Sequence, residues 1–373
     1  MLPSPSTNVI INSGAATVGS SASANIITMA QTAGQNGTLN ISTTGSLAAA
    51  QLTIGSSGTG ILNLEDGTIT CAGTVSVAAN AGSTGILNFG TGAGAVGTLA
   101  AAQVAGGDGN ATANFNHSGN HTFAQTFTGT LALNQIGTGT STLTGNSSST
   151  GTVAVTAGTL AIATGGRIAG DASVSGAGAL VVNGAAGNAT VGAGGTISGN
   201  GSLGSLIVES GGILNPGNSP GTLTVASLTL AGTTNIELAG DTEFDQVEIL
   251  NTSALTFGGN LVFDFTGTLG GGPELDLSIF VHDGTTSGTF AAVSSVGKGY
   301  EANWTYSAGT DSWSAMLNDT NYTFLESTGA LNIGPVPEPS SWALITFGVA
   351  AVTVSCRQRR AWNKVFAHKK SLL

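Results

Sequence analysis

The segment Thr59-Gly-Ile-Leu-Asn-Leu64 decides the fold, because it returns 25 residues later as Thr84-Gly-Ile-Leu-Asn-Phe89. A weaker copy, Asn36-Gly-Thr-Leu-Asn-Ile41, lies 23 residues before the first. Each copy is a glycine turn followed by a short strand in which apolar residues mostly alternate with others. One such strand cannot bury a face by itself, so successive units must stack on one another. The repeat therefore predicts a solenoid of short β-strands.

The rest of the chain supports an all-β fold. Looser units follow as Gly158-Thr-Leu-Ala-Ile162, Gly178-Ala-Leu-Val-Val182, Gly204-Ser-Leu-Ile-Val208 and Gly221-Thr-Leu-Thr-Val225. The 59 glycines among 373 residues disfavour helices, because Gly costs a helix about 1 kcal/mol relative to Ala. Only 7% of residues are charged and 40% are apolar, which argues against charge-driven disorder. We predict a parallel β-helix with one coil per unit, and an array of β-sandwiches is the alternative.

The sequence divides into three parts. Residues 1–254 are repetitive and are predicted to form the β-helix. Aromatic and acidic residues become denser in 255–334, which we predict to be a β cap, since the exposed strand edges at the end of a solenoid need a cover. Residues 335–373 differ in composition again, with an apolar segment at 340–356 and a basic tail at 357–373.

Charge is distributed unevenly along the chain. Arg167 and Lys298 are the only basic side chains before position 357, against 19 Asp and Glu, so the balance through Glu338 is −17 and the remaining tail carries +6. An acidic body repels phosphate backbones, which excludes nucleic acid as a partner. Two cysteines, Cys71 and Cys356, are too few to indicate a disulfide framework.

The C-terminal part combines three features in a fixed order. Val336-Pro-Glu-Pro339 is followed by an uncharged apolar run from Trp342 to Cys356 and by Arg357-Gln-Arg-Arg360. This order closely resembles a PEP-CTERM sorting signal, a type of tail that some bacterial ice-binding proteins also carry. The resemblance implies that an exosortase in the inner membrane recognises and processes the tail, and that the body reaches the cell surface. The thirteen residues after Arg360 depart from the pattern, because such tails usually end sooner.

The resemblance assigns roles to individual residues. The predicted sorting residues are Val336, Pro337, Glu338 and Pro339, and the predicted flanks of the membrane segment are Trp342, Arg357, Arg359 and Arg360. As a helix, the 15 residues from Trp342 to Cys356 would be about 22 Å long, which is short for a hydrocarbon core of about 30 Å. We predict one short C-terminal membrane helix that anchors the protein transiently. The positive-inside rule leaves the basic tail in the cytoplasm and the acidic body outside.

The N-terminus raises a conflict with export. The first seven residues contain no basic side chain, and no apolar run follows that would form the core of a signal peptide. A substrate of an exosortase must first cross the inner membrane. We therefore expect the true start, with a signal peptide, to lie upstream of Met1.

The body has a resemblance of its own. Ile197–Leu203, Leu214–Val225 and Leu238–Val247 look like the passenger stalk of autotransporter proteins, and the 25-residue units look like repeats shared by type V secretion and PEP-CTERM proteins. Both resemblances imply a right-handed parallel β-helix. They are specific for architecture and say little about activity.

Three short patterns are candidates for chemistry. Gly217-Asn-Ser-Pro-Gly221 matches the G-x-S-x-G nucleophile elbow, but Pro220 has no N–H for an oxyanion hole, so we predict a turn. His117 and His121 flank Ser-Gly-Asn and are predicted to lie in a solvated loop. Asp241, Glu243 and Asp245 alternate, so a strand would project all three from one face, either as calcium ligands or as an ordinary solvent-facing row.

These observations favour an exported structural or adhesive protein of the bacterial surface or extracellular matrix, with no enzymatic activity, cofactor or metal. The expected partners are an exosortase-type membrane protease or transpeptidase, the membrane through the C-terminal segment, and exopolysaccharide. A polysaccharide-binding or polysaccharide-degrading β-helix is one alternative. An ice-binding adhesin is another, because Thr138, Thr140, Thr142 and Thr144 form one outward row.

Overall fold

The computed structural model describes residues 4–335 except 93, 251 and 270–273. All regular structure in this part of the chain is β-strand. Every pairing among the strands between Val9 and Phe265 is parallel. The prediction of an all-β parallel solenoid is confirmed, with about 11 turns, and the array of antiparallel sandwiches is not what forms.

The strands are short and follow one another closely. In the first part of the chain they are β1 (Val9–Ile11), β2 (Ser13–Val18), β3 (Ser21–Met29), β4 (Asn36–Ile41), β5 (Ser46–Ile54), β6 (Thr59–Leu64), β7 (Thr68–Cys71), β8 (Val75–Val77), β9 (Thr84–Phe89), β10 (Thr98–Ala100), β11 (Gln103–Gly106), β12 (Asn110–Phe115), β13 (Asn120–Phe123) and β14 (Thr126–Gly129). The middle contains β15 (Ala132–Gln135), β16 (Thr140–Leu143), β17 (Val153–Val155), β18 (Thr159–Ile162), β19 (Ala172–Val174), β20 (Ala179–Val182), β21 (Ala189–Val191), β22 (Thr196–Gly199), β23 (Ser202–Val208), β24 (Ile213–Pro216), β25 (Thr222–Leu230) and β26 (Thr233–Leu238). The last part contains β27 (Gln246–Ile249), β28 (Leu255–Phe257), β29 (Asn260–Phe265), β30 (Leu275–Ser278), β31 (Phe280–Val281), β32 (Thr286–Gly288), β33 (Ala292–Val296), β34 (Ala302–Asn303), β35 (Thr305–Ser307), β36 (Ser312–Leu317), β37 (Thr320–Leu325) and β38 (Ala330–Pro335).

Three sheets form the walls of the solenoid. A 15-stranded long sheet runs from β2 to β31 and β32, and an 8-stranded N-terminal sheet supplies the second wall from β1 to β14. A 10-stranded C-terminal sheet replaces it, beginning at β13 and ending at β34. The offset between stacked residues is 23 to 26 before this exchange and 20 or 17 at examples after it. The offset rises again to 27 between β26 and β29 and to 32 between β29 and β33. The sequence repeat becomes loose because the coils vary in length.

The two copies of the repeat stack residue for residue. Ile61 pairs with Ile86, Leu62 with Leu87, and Leu64 with Phe89. Of these residues, Leu62, Leu64, Leu87 and Phe89 are completely buried, while the two isoleucines face outward and are half-buried. The predicted stacking of successive units is confirmed at these positions.

The glycine of each repeat is required by a close approach of two backbone segments. Gly37, Gly60 and Gly85 stack in one column of the long sheet. A Cβ atom on Gly60 would lie 2.1 Å from the backbone nitrogen of Gly55, and one on Gly85 would lie 2.4 Å from that of Ala78. No side chain fits at either position without a shift of the backbone.

Aromatic rings fill the interior where the second wall changes. The rings of Phe89 and Phe115 stack with centroids 5.5 Å apart and planes at 9°. Phe123, on the first strand of the C-terminal sheet, packs on both of them at 4.8 and 4.7 Å. Packing between these large side chains therefore joins the two halves of the solenoid.

The parallel coils continue beyond residue 254, the boundary that we set from the sequence, and reach Val296 in β33. Aromatic density rises before the coils end because Phe257, Phe263 and Phe265 point into the solenoid, where all three are buried. The antiparallel cap is a separate 5-stranded sheet in the order β30-β38-β37-β36-β35.

One buried carboxylate fixes the cap to the last coils. Glu326 is 1% exposed, and its Oε1 accepts hydrogen bonds from Thr289 Oγ1, the Phe290 backbone N–H and Trp313 Nε1, each at 2.9 Å. Beside it, the ring of Phe324 packs against four rings of the coils, those of Phe257, Phe263, Phe280 and Phe290. The cap thereby closes the C-terminal end of the apolar core.

Candidate functional site

The residues predicted to direct sorting lie outside the described residues, as do the membrane segment 340–356 and the basic tail 357–373. The last described strand, β38, ends at Pro335, directly before Val336. It pairs with β30 on one side and β37 on the other. The motif thus follows immediately after an inner strand of the cap. Within the described part of the chain, no helix is long and apolar enough to span a membrane.

A cleft of about 550 Å³ opens on the outer face of the C-terminal sheet. Polar side chains line it from several coils, with Asn215 on β24, Asn235 and Glu237 on β26, and Asp264 on β29. The turn at Gly217–Ser219 and the buried carboxylate of Asp245 complete it. Since side chains alternate between the two faces of a strand, these residues project outward while their neighbours fill the core. We call this feature the outer cleft.

Asp245 joins two coils beneath the outer cleft. It is 4% exposed, and its two oxygens accept hydrogen bonds from the backbone N–H groups of Gly221 at 3.0 Å and Glu237 at 2.9 Å. Burial raises the pKa of the Asp245 carboxyl to about 6 from 3.8. The two N–H bonds oppose this rise in pKa, and the negative charge of Glu237 adds to it.

The predicted alternation of Asp241, Glu243 and Asp245 along one strand face is wrong. Gly240 and Glu243 exchange backbone hydrogen bonds of 2.9 and 3.2 Å, so this segment forms a tight hairpin rather than a continuous strand. Asp241 and Glu243 are exposed on the hairpin, whereas Asp245 is buried. No group of three or more His, Cys, Asp or Glu side chains in the described ranges is placed to hold a metal ion.

The G-x-S-x-G string forms a turn, as predicted, and the strand β25 follows it directly. Ser219 has φ of 61°, in the left-handed region. Its hydroxyl donates to Oε2 of Glu237, while Thr266 Oγ1 donates to Oε1 at 2.7 Å. These two bonds hold the Glu237 carboxylate at the edge of the outer cleft. An elbow-type nucleophile is not formed, because Ser219 is engaged by a carboxylate and precedes a proline.

The predicted solvated loop at His117 is wrong. The His117 side chain is completely buried, with Nδ1 2.9 Å from the carbonyl oxygen of Gly119 and Nε2 2.9 Å from Ser141 Oγ. A carbonyl oxygen only accepts, so Nδ1 carries the proton and Nε2 accepts from the serine hydroxyl. The Ser141 side chain is also fully buried, which makes this pair a structural contact that no substrate reaches.

Burial lowers the pKa of His117 below its ordinary value of 6.5. Burial also lowers the pKa of His121, whose ring lies 6.4 Å from that of His117, and repulsion between the two rings lowers it further. Both imidazoles are therefore held in the neutral form.

The threonine row predicted to face outward does so, because Thr138, Thr140, Thr142 and Thr144 alternate with buried neighbours. The row does not recur in the next coil. Thr140 pairs with Thr159, but Thr142 pairs with Ala161. A flat ice-binding face would need the same pair of outward threonines in every coil. The replacement of the second threonine by Ala161 interrupts that pattern.

Comparison with known protein families finds the PEP-CTERM protein-sorting motif at residues 335–360. The resemblance to this signal is thereby confirmed for the tail, and Val336–Pro339, Trp342, Arg357, Arg359 and Arg360 all lie inside the matched range. A comparison with curated proteins finds no match for the chain.

Fold and motif together define the class of the protein, a parallel β-solenoid that carries an export-linked sorting signal. The motif implies export, sorting to the cell envelope and an exosortase-type processing partner.

Proposed function

We propose that this protein is a non-enzymatic structural component of the cell surface or extracellular matrix, with an adhesive role there. The observation that supports the proposal best is that the stacked coils, the cap and the sorting motif follow one another along the chain. Parallel coils run from Val9 to Val296, and the cap that closes them passes directly into the sorting motif at 335. An array of this kind presents its outer faces over its whole length, which suits a protein that spaces or holds other components.

The stacking of coils gives such a protein its rigidity. Each coil bonds only to its neighbours, and amide side chains reinforce the backbone ladder of the long sheet. Asn40, Asn63, Asn88, Asn114 and Asn134 form a chain of side-chain hydrogen bonds with lengths of 2.7 to 3.0 Å. The balance of −17 through Glu338 keeps the body well hydrated and disfavours self-association.

Processing at the tail completes the proposal. Segment 340–356 anchors the protein transiently in the inner membrane, with the basic tail 357–373 in the cytoplasm, until the exosortase acts near Pro337-Glu-Pro339. The body is then released to the outer surface or the matrix. Exopolysaccharide is the partner we propose there.

The sorting step is tested by replacing Glu338 with Ala in the full chain, with Glu301→Ala, which changes an exposed carboxylate of the body, as the matched control. We expect the wild type and the control to reach the surface or medium at reduced mass. The Glu338→Ala protein should remain in the inner-membrane fraction at full mass. Normal processing of Glu338→Ala, or a cytoplasmic wild type, would overturn the proposal.

The absence of catalysis is tested separately. The full chain should release no reducing ends from neutral or acidic polysaccharides on prolonged incubation. Release that depends on Glu237 or Asp264 would instead establish the enzymatic alternative.

A further inference from the structure

The outer cleft has the volume of a ligand site. Its volume of about 550 Å³ falls in the range of about 300–1,000 Å³ that small-molecule sites occupy. Strands of the C-terminal sheet form its floor, and the turn at Gly217–Ser219 rises at one side. The same turn is held by Asp245 and Glu237, so the cleft is built into the fold.

Its polar groups include both donors and acceptors. Asn235 Nδ2 donates to Asn215 Oδ1 at 2.8 Å. This bond uses one donor and one lone pair, and each side-chain amide has further capacity of both kinds. The carboxylates of Glu237 and Asp264 only accept. A hydroxyl group both donates and accepts hydrogen bonds. A ligand rich in hydroxyls therefore matches these amides and carboxylates together.

An apolar strip lies beside these polar groups. Val262 pairs in register with Asn235, and Val296 pairs with Asp264. Both valines line the cleft, and Val296 is 41% exposed. A ligand that covers this strip gains by removing it from water. Sugar rings combine an apolar C–H face with a rim of hydroxyls, so they match the strip and the amides together.

The acidic side chains of the cleft favour neutral hydroxyl-bearing ligands over anionic ones. No Lys or Arg is among the described residues that line the cleft, and Glu237, Asp245 and Asp264 are all acidic. Polymers of uronic acids or sulfated sugars would be repelled by these groups and by the acidic body. A simple amine or cation would leave the amide donors unmatched and the valines uncovered.

From these contacts we propose that the outer cleft binds a neutral glycan, with Asn215 and Asn235 bonding its hydroxyls and Val262 and Val296 packing on a ring face. This inference deepens the proposed function, because a surface location is what brings the cleft to a matrix glycan. Binding is measured on purified protein, so its failure would leave the sorting of the tail unaffected.

The test is calorimetric titration of the full chain with neutral hexasaccharides of glucose, galactose and N-acetylglucosamine. We expect at least one to bind, and Asn235→Ala to weaken it about tenfold, as loss of a ligand hydrogen bond does. The matched control is Asn134→Ala. Asn134 also donates one amide bond to a neighbouring asparagine, at 3.0 Å, but lies on the long sheet. The Asn134→Ala substitution should leave binding unchanged.

A second variant covers the case in which Asn235→Ala disturbs folding. Val296→Glu adds a charge at an exposed rim position and should weaken binding at least as strongly, with an unchanged circular dichroism spectrum. Polygalacturonate is the anionic probe and should not bind. The proposal is overturned if no neutral hexasaccharide binds at millimolar concentration. Equal weakening by Asn134→Ala, or binding of polygalacturonate as tight as that of the neutral sugars, would also overturn it.

Discussion

At the scale of single residues, Asp245 shows how one buried carboxylate organises the surface above it. Its two oxygens bond backbone groups at Gly221 and Glu237, which belong to different coils. The turn that contains Ser219 and the strand that contains Glu237 are thereby held in one arrangement. The outer cleft depends on this contact, although Asp245 itself is almost entirely covered.

The raised pKa of Asp245 predicts a pH dependence of stability. The folded state keeps the proton up to about pH 6, whereas the unfolded chain releases it near 3.8. The stabilising contribution of the protonated form is therefore complete below pH 3.8 and is lost as the pH rises through about 6. In thermal unfolding, the Tm of the wild type relative to Asp245→Asn should fall between pH 4 and pH 7. A difference that does not change with pH would show that Asp245 titrates normally.

The two neighbouring histidines, His117 and His121, predict the opposite trend. The pKa values of His117 and His121 are lowered in the folded state, so the unfolded chain binds more protons as the pH falls below 6.5. The stability that they contribute is present above pH 6.5 and is lost on acidification. The double variant His117→Gln with His121→Gln should lose less Tm between pH 7 and pH 5 than the wild type. An equal loss in both proteins would contradict this account.

At the scale of the repeat, glycine is required because the neighbouring backbone leaves no room for a Cβ atom. Gly85→Ala would place Cβ 2.4 Å from the backbone nitrogen of Ala78 and from the carbonyl oxygen of Ile54. We expect a loss of several kcal/mol in unfolding free energy, or a failure to fold, because backbone atoms must move. Gly94→Ala is the control, since its Cβ would meet nothing within 4 Å. Urea unfolding monitored by circular dichroism separates the two, and equal stabilities would contradict the stacking.

The chain of asparagine side chains predicts different losses of stability at its middle and at its end. Asn88 donates to Asn63 and accepts from Asn114, whereas Asn134 has a single amide partner because its next neighbour in the sheet is Ala154. Each bond contributes about 1 kcal/mol. Asn88→Ala should therefore destabilise the protein about twice as much as Asn134→Ala in the same urea experiment. A reversed order would show that the amide bonds add little to the backbone ladder.

At the scale of the whole molecule, the sequence predicts the architecture well where the repeats are close copies. The units at Thr59 and Thr84 pair in register as expected. Beyond them the coils vary in length, so the spacing in the sequence no longer predicts which residues stack. The outer cleft was missed for this reason, because Asn215, Asn235 and Asp264 come from three coils of unequal length. The only sequence signal was an outward polar position in each unit.

The errors have local causes. His117 precedes Ser-Gly-Asn, a composition typical of a loop, but its ring turns inward where Gly139 leaves room for it: a Cβ on that glycine would lie 2.8 Å from Nδ1. Asp245 follows a hairpin that breaks the expected alternation. In both cases a glycine in a neighbouring segment leaves room for the polar side chain, since a Cβ on Gly217 would lie 2.3 Å from Oδ1 of Asp245.

The central claim is that the solenoid body is exported, and labelling of a single cysteine in intact cells tests it most directly. The chain carries Thr138→Cys at an exposed site together with Cys356→Ser, and it is treated with a membrane-impermeant maleimide. Cys71 is 3% exposed, and burial raises the pKa of its thiol, so it should react only after denaturation. The account predicts that residue 138 is labelled in intact cells while Cys71 is not. Labelling of residue 138 only after cell lysis would contradict it.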